Sequence, residues 1–101
     1  NFIDAISIIN SNYTNNTLNI SNICRSANIG ETQFRKLFSE TMGISPIAYV
    51  HELRIKKAKE MLKSDYSSIT DIAESLGYLN IYDFSRTFKK YIQIGILWVK
   101  E

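Results

Sequence analysis

The stretch Ile69 to Lys90, ITDIAESLGYLNIYDFSRTFKK, joins a short capped helix, a glycine turn and a second helix, and the same unit stands earlier as Ile20 to Phe38, ISNICRSANIGETQFRKLF. Ile20-Ser21-Asn22-Ile23-Cys24 returns as Ile69-Thr70-Asp71-Ile72-Ala73, shifted by 49 positions. Phe34-Arg35-Lys36-Leu37-Phe38 returns as Phe84-Ser85-Arg86-Thr87-Phe88, shifted by 50. The odd residue falls between the two helices of the unit. An insertion inside a helix would rotate its apolar face by ~100°, whereas one in a loop costs little. The insertion therefore marks the turn. Helix, tight turn, helix is the helix-turn-helix pattern. The small residues Cys24 and Ala73 let the two helices approach closely. Gly77 supports the second turn, and Asn28, which tolerates positive φ better than most residues, takes its place in the first.

The rest of the chain reads as helix at 3.6-residue spacing, with little β-type alternation. Phe2, Ile6, Ile9 and Tyr13 line one face of a first helix, which the polar run Asn10 to Asn16 ends. Asn19 caps a short second helix carrying Ile20, Ile23 and Cys24. Asn28 to Gly30 form a turn. A third helix puts Phe34, Leu37, Phe38 and Thr41 toward the core, and Gly43 stands where a helix end favours a left-handed residue. Ser45 and Pro46 open a fourth helix that runs to about Lys63, with Ala48, Tyr49, Ile55, Ala58, Met61 and Leu62 as its apolar positions. Ser68, with Asp71, caps a fifth helix whose face is Ile69, Ile72, Ala73 and Leu76; Gly77 ends it. Asn80, with Asp83, caps a sixth that carries Phe84, Phe88 and Tyr91. The apolar tail Ile94 to Val99 reads as a short last helix.

The second helix of each unit turns a polar face outward. In the first, over residues 31-41, that face holds Glu31, Thr32, Arg35, Lys36 and Ser39. In the second, over 81-91, it holds Ile81, Tyr82, Ser85, Arg86, Lys89 and Lys90. A reader of the DNA major groove needs this mixture: Arg or Lys for guanine edges and phosphates, hydroxyls for adaptable bonds, apolar tips for the thymine methyl. Any helical protein carries cations on its solvent faces, so one such helix says little. Two capped copies, each after a tight turn, say more. A linker helix from Pro46 to Lys63 is ~27 Å long. With helix widths added, the outward helices sit ~30–35 Å apart, against ~34 Å between successive major-groove faces of B-DNA. One monomer then spans two adjacent grooves.

At 101 residues the chain is one domain on the length prior, with a core that needs no staples. Its net charge of +2 is only a mild pointer to an anionic partner. Cys24 is the only cysteine and His51 the only histidine, which excludes an intramolecular disulfide and a Cys/His metal cluster. A reducing, cytoplasmic setting fits. No apolar run approaches the ~20 residues of a membrane span, and no signal peptide is visible, so no membrane partner is expected. The glycosylation-type triplets at Asn12, Asn15 and Asn19 lack an export signal to give them meaning. The chain begins at Asn1, which reads as a segment of a longer protein.

Enzymatic chemistry finds no foothold. His51-Glu52 begins like a metalloprotease motif, but Ile55 stands where the second metal-binding histidine is required. No Ser/His/Asp set is credible around one histidine on a helix amid aliphatics, and no glycine-rich phosphate loop exists. No cofactor or metal is expected. Cys24 lies on a core face and reads as a buried thiol rather than a redox sensor. His51 reads as an ordinary linker-helix residue, and Glu52 and Arg54 as surface or inter-unit salt-bridge residues.

Three stretches resemble the DNA-binding domain of the AraC/XylS family of transcription regulators. They are Phe34 to Tyr49 (FRKLFSETMGISPIAY), Leu53-Arg54 with Ala58 and Leu62, and Ile69 to Lys90. The resemblance covers roughly Ile6 to Lys100. It implies an all-α, homeodomain-like fold of about seven helices, with units over about 1-44 and 64-101 and a linker helix over about 46-63, the whole chain 1-101 forming the domain. It implies binding to double-stranded promoter DNA, usually activation through RNA polymerase, and an upstream sensor or receiver domain of the same full-length chain. By position, base contacts fall on Thr32, Arg35 and Lys36 in the first unit and on Ile81, Tyr82 and Arg86 in the second. The chain departs from the family pattern at Gly30, where a capping Ser is usual, and at Cys24, where Ala is usual. After Tyr91 the family repeats Gly-x-Ser/Thr-Pro, whereas this chain has Gln93, Gly95 and Ile96 at the matching positions. A helical protein-interaction module that kept the frame and lost DNA is the competing reading.

Overall fold

The computed structural model describes residues 1–64 and 68–93. Six helices stand among them: α1 (Phe2–Asn12), α2 (Ile20–Ser26), α3 (Glu31–Met42), α4 (Pro46–Ser64), α5 (Ile69–Ser75) and α6 (Ile81–Gln93). No strand occurs among the described residues. The expected last helix, over Ile94 to Val99, lies outside them.

The N-cap side chains read from the sequence are in place, although no return bond from Asp71 to the Ser68 amide stands among the described hydrogen bonds. The Asn19 side chain accepts from the Asn22 amide, Ser68 from Asp71, and Asn80 from Asp83, each satisfying an orphan donor of a first turn. Ser45 does the same for Ala48 ahead of Pro46. The side chain of Asn1 caps α1 by accepting from the Asp4 amide. Gly30 precedes α3 with no side-chain cap, as a glycine must. Gly43 ends α3 at φ 78°.

Two cores form, one per unit, and α4 contributes to both. The first joins Ala5, Ile9, Ile20, Ile23, Cys24, Phe34 and Phe38 to Val50 of α4. The second joins Ile72, Ala73, Leu76, Tyr78, Phe84 and Tyr91 to Ile55 and Ala58 of α4. At 19 residues, α4 is a rod ~28 Å long. Val50 and Leu53 pack into the first unit and Ile55, Ala58 and Met61 into the second, while His51 and the Ala48 carbonyl meet Tyr78 and Tyr91 of the second unit from the first half of the rod.

Several side chains differ from the sequence reading. Leu37 is 37% exposed and Thr41 is exposed. Phe34 and Phe38 are the buried residues of α3, with Phe2 and Tyr49 against their rings, and Leu37 and Thr41 fall outside that stripe. Leu62 and Ile69 lie at helix ends and are 40% and 46% exposed. Arg54 is neither a surface residue nor part of a described salt bridge. It is buried at 7% exposure, between Val50 and Ile55, where the two cores meet on α4. His51 has aromatic rather than aliphatic neighbours, stacking on Tyr78 with centroids 5.7 Å apart and tilted against Tyr91.

Candidate nucleic-acid interface

The two turns are the same turn. Backbone amides of Ala27, Asn28 and Ile29 donate to the carbonyls of Ile23, Arg25 and Cys24. Forty-nine positions on, Leu76, Gly77 and Tyr78 donate to Ile72, Glu74 and Ala73. Asn28 has φ 57° and Gly77 has φ 95°, so the two residues that interchange in the repeat share the left-handed conformation. The offset becomes 50 at the start of the second helix, where Phe34 donates to Gly30 and Phe84 to Asn80. The inserted residue is therefore Leu79, which is 75% exposed and disturbs neither helix.

Each turn delivers a helix that buries its aromatic stripe and leaves its polar face in solvent. On α3, Thr32, Arg35 and Lys36 are exposed. On α6, Tyr82, Ser85, Arg86, Lys89 and Lys90 are exposed and Ile81 is half-buried. Tyr82, at 76% exposure, is a large aromatic with its ring in solvent at a helix start. The nine residues thus fall into two groups, one per unit, on separate helices. The repeat equates Arg35 with Ser85 and Lys36 with Arg86, so the two helices offer different donors at matching places.

Two acidic residues belong to this surface: Glu31, which the sequence already puts on the outward face, and Asp83, whose i, i+3 spacing to Arg86 is its signal. Glu31 Oε2 accepts from Nε of Arg35 at 2.8 Å and pairs with Nη2 of the same guanidinium at 2.8 Å. Asp83 Oδ1 accepts from Nη2 of Arg86 at 2.9 Å. Glu31 also accepts from the Ser21 hydroxyl of α2 at 2.5 Å. The Ser21 bond first, and the Arg35 bond second, hold the Glu31 carboxyl below the usual carboxylate range. Thr70 and Ile81 occupy the corresponding places in the second unit, so this fastening belongs to the first unit alone. Exposed pairs of this kind contribute little to stability. They hold a guanidinium in a defined place and yield readily to a stronger acceptor. Lys90 Nζ lies 5.8 Å from the Tyr91 ring centroid. Cys24 is buried, and burial pushes its thiol up, as suits a structural thiol. Among the described residues no cluster of His, Cys, Asp and Glu could hold a metal ion, and no helix is long and apolar enough to cross a membrane.

A family model described as "Helix-turn-helix domain" matches residues 23–95. The lactose operon transcription activator of Staphylococcus xylosus is 31% identical over 91 residues, 90% of this chain and 32% of that protein. This chain spans about a third of the length of the curated relatives it matches. Among solved structures, the C-terminal domain of AraT, a response regulator from Geobacillus stearothermophilus, superposes with a TM-score of 0.83 at 28% identity, covering 88% of this chain and 74% of that one. An AraC-type DNA-binding-domain regulator from Chromobacterium violaceum shares the fold at a TM-score of 0.79 and 24% identity, covering 91% of this chain and 81% of that one. Two equivalent helix-turn-helix units on one linker helix, the match to the domain and these relatives lead to one assignment: the chain belongs to the AraC/XylS family of transcription regulators, as a helix-turn-helix DNA-binding domain.

Proposed function

We propose that this domain binds double-stranded promoter DNA sequence-specifically, with α3 and α6 entering adjacent major grooves of one duplex. The observation that carries the reading is the equivalence of the two turns. Their backbone hydrogen bonds repeat at a constant offset, and each turn releases an exposed helix bearing an arginine on its polar face. Arg35 and Arg86 read guanine edges by exchanging their carboxylate partners for base acceptors. Thr32 and Ser85 supply adaptable bonds, and Ile81 and Tyr82 supply apolar contact for thymine methyls. Lys36, Lys89 and Lys90 hold phosphates, which position the domain without reading sequence. In a full-length regulator, an upstream sensor or receiver domain would set when binding occurs, and RNA polymerase would be the partner at the promoter.

The test is selection of binding sites from a random duplex pool at moderate salt. Two short motifs about one helical turn apart are expected. A single motif would remove the two-groove arrangement. No enrichment, with no shift of any duplex at low salt, would overturn the DNA reading and favour a protein-interaction module.

A further inference from the structure

We infer that Arg54 fixes the relative placement of the two recognition helices, and so sets which spacing of DNA motifs the domain accepts; the second half of this statement rests on the two-groove reading above. Arg54 is a residue of α4, yet its guanidinium ties the two units to each other. Nε donates to the carbonyl of Tyr13 at 2.5 Å and Nη2 to the carbonyl of Asn15 at 3.1 Å, both in the segment after α1. On the other side the guanidinium carbon lies 5.2 Å from the centroid of the Tyr78 ring, in the turn of the second unit. A planar fork suits this work, because its edge can donate to two carbonyls while its face stacks on a ring.

The backbone of the second turn closes on the same spot. A Cβ at Gly77 would stand 2.8 Å from the Thr14 carbonyl oxygen and 3.0 Å from Arg54 Nη2. The second turn therefore lies against the segment that Arg54 holds. Elsewhere the main helix packing is within each unit or onto α4, through α1 on α2, α2 on α3, α3 on α4, and α4, α5 and α6 on one another. Beside this contact the seam between the units is a groove of about 340 Å³, lined by Asn16, His51, Leu79 and Arg86 among others. With the seam partly open, a small number of contacts decides the angle between the units. Arg54 is the buried charge among them, so losing it removes the donor to the Tyr13 carbonyl, one of the two donors to the Asn15 carbonyl, which also accepts from the Leu18 amide, and the cation beside the Tyr78 ring.

Two measurements test this on the whole chain. Spin labels at Glu40→Cys and Glu74→Cys, exposed positions on α3 and α5, report the inter-unit distance in a Cys24→Ala background. A narrow distance distribution is expected for the parent and a broad one for Arg54→Met, with helical circular dichroism retained. An unchanged narrow distribution would overturn the proposal. Loss of the helical signal in both Arg54→Met and Arg54→Lys would also overturn it, by making Arg54 a folding residue alone. In the second measurement, one or two base pairs are inserted between the two selected motifs. The parent should lose about tenfold or more in affinity, and Arg54→Met much less, while both bind a single motif equally. An equal insertion penalty would overturn the spacing role. If the parent bound no duplex while the distance result held, the DNA reading would fail and the role of Arg54 in placing the units would stand.

Discussion

At the scale of single residues, the two arginines proposed to read bases are held by neighbouring carboxylates, Glu31 and Asp83, which base acceptors would have to displace. Arg86 is three-quarters exposed and held by Asp83 from the preceding turn, so its guanidinium is presented from the middle of the outer face of α6. Lys89 stands one turn on, exposed, where a flexible ammonium suits a phosphate better than a base edge. The two substitutions should therefore separate. Arg86→Ala should cost ~1–3 kcal/mol of binding and relax specificity at one base position. Lys89→Ala should weaken binding on every sequence and lower the salt slope by ~1. Salt titrations of both variants on the selected site and on single-base variants of it decide the matter. A uniform loss for Arg86→Ala would remove its base-reading role.

At the scale of elements, the turns carry the strongest constraint on residue type. Asn28 and Gly77 both stand at positive φ, but their surroundings differ. Gly77 has a carbonyl and a guanidinium where a Cβ would go. Gly77→Ala combines left-handed strain with a backbone clash and should destabilise by ~2–4 kcal/mol. Asn28→Ala meets the strain alone and should cost ~1 kcal/mol, and Asn28→Gly should be neutral or slightly stabilising. Urea unfolding of the three variants checks the order; a Gly77→Ala protein as stable as the parent would mean that the two units do not meet there. These turns were legible because the repeat exposes them: a one-residue slip between two matched helices leaves few places for a loop, and the caps at Asn19, Ser68 and Asn80 are local chemistry. The outward faces of α3 and α6 were legible for the same reason, as periodicity separates Phe34 and Phe38, or Phe84 and Phe88, from the residues opposite. The exposure of Leu37 and Thr41 was not legible, because periodicity gives a direction and not how much of that face the neighbouring helices cover. For Arg54 the sequence offered an inter-unit salt bridge as one reading, but its burial and its actual partners were not legible. Its partners are main-chain carbonyls 39 and 41 positions away and an aromatic face, and none of these leaves a trace in charge spacing.

At the scale of the whole molecule, two cores on one rod meet at a waist built from Arg54, Tyr78 and His51, and this waist is sensitive to acid. His51 Nδ1 lies 2.9 Å from the Tyr78 hydroxyl. Burial pushes the Tyr78 phenol up to about 12, so the hydroxyl keeps its proton, and the imidazole tautomer decides which of the two groups donates in this contact. Burial first, then the positive charges of Arg54 and Lys90, pull the His51 pKa below its usual 6.5. Tyr91, tilted against the same ring, brings no charge to offset them. The folded chain thus takes up the His51 proton less readily than the unfolded chain does. In the interval between the lowered value and 6.5 the unfolded state binds more protons, and stability rises with pH. The contribution is complete above about pH 6.5 and is lost as pH falls below it. Glu31 has the opposite charge type but the same sign: its carboxyl is held below 4.5, so its contribution is present above that value and is lost in a more acidic window. Measurements between about pH 5.5 and 7.5 therefore isolate the histidine. The parent should lose stability across that range relative to His51→Gln, whose side chain does not titrate, and the His51 imidazole should titrate below 6.5 by NMR. Parallel pH profiles for the parent and the Gln variant would show that His51 is free at the waist, with no coupling between its proton and the contact of α4 with the second turn.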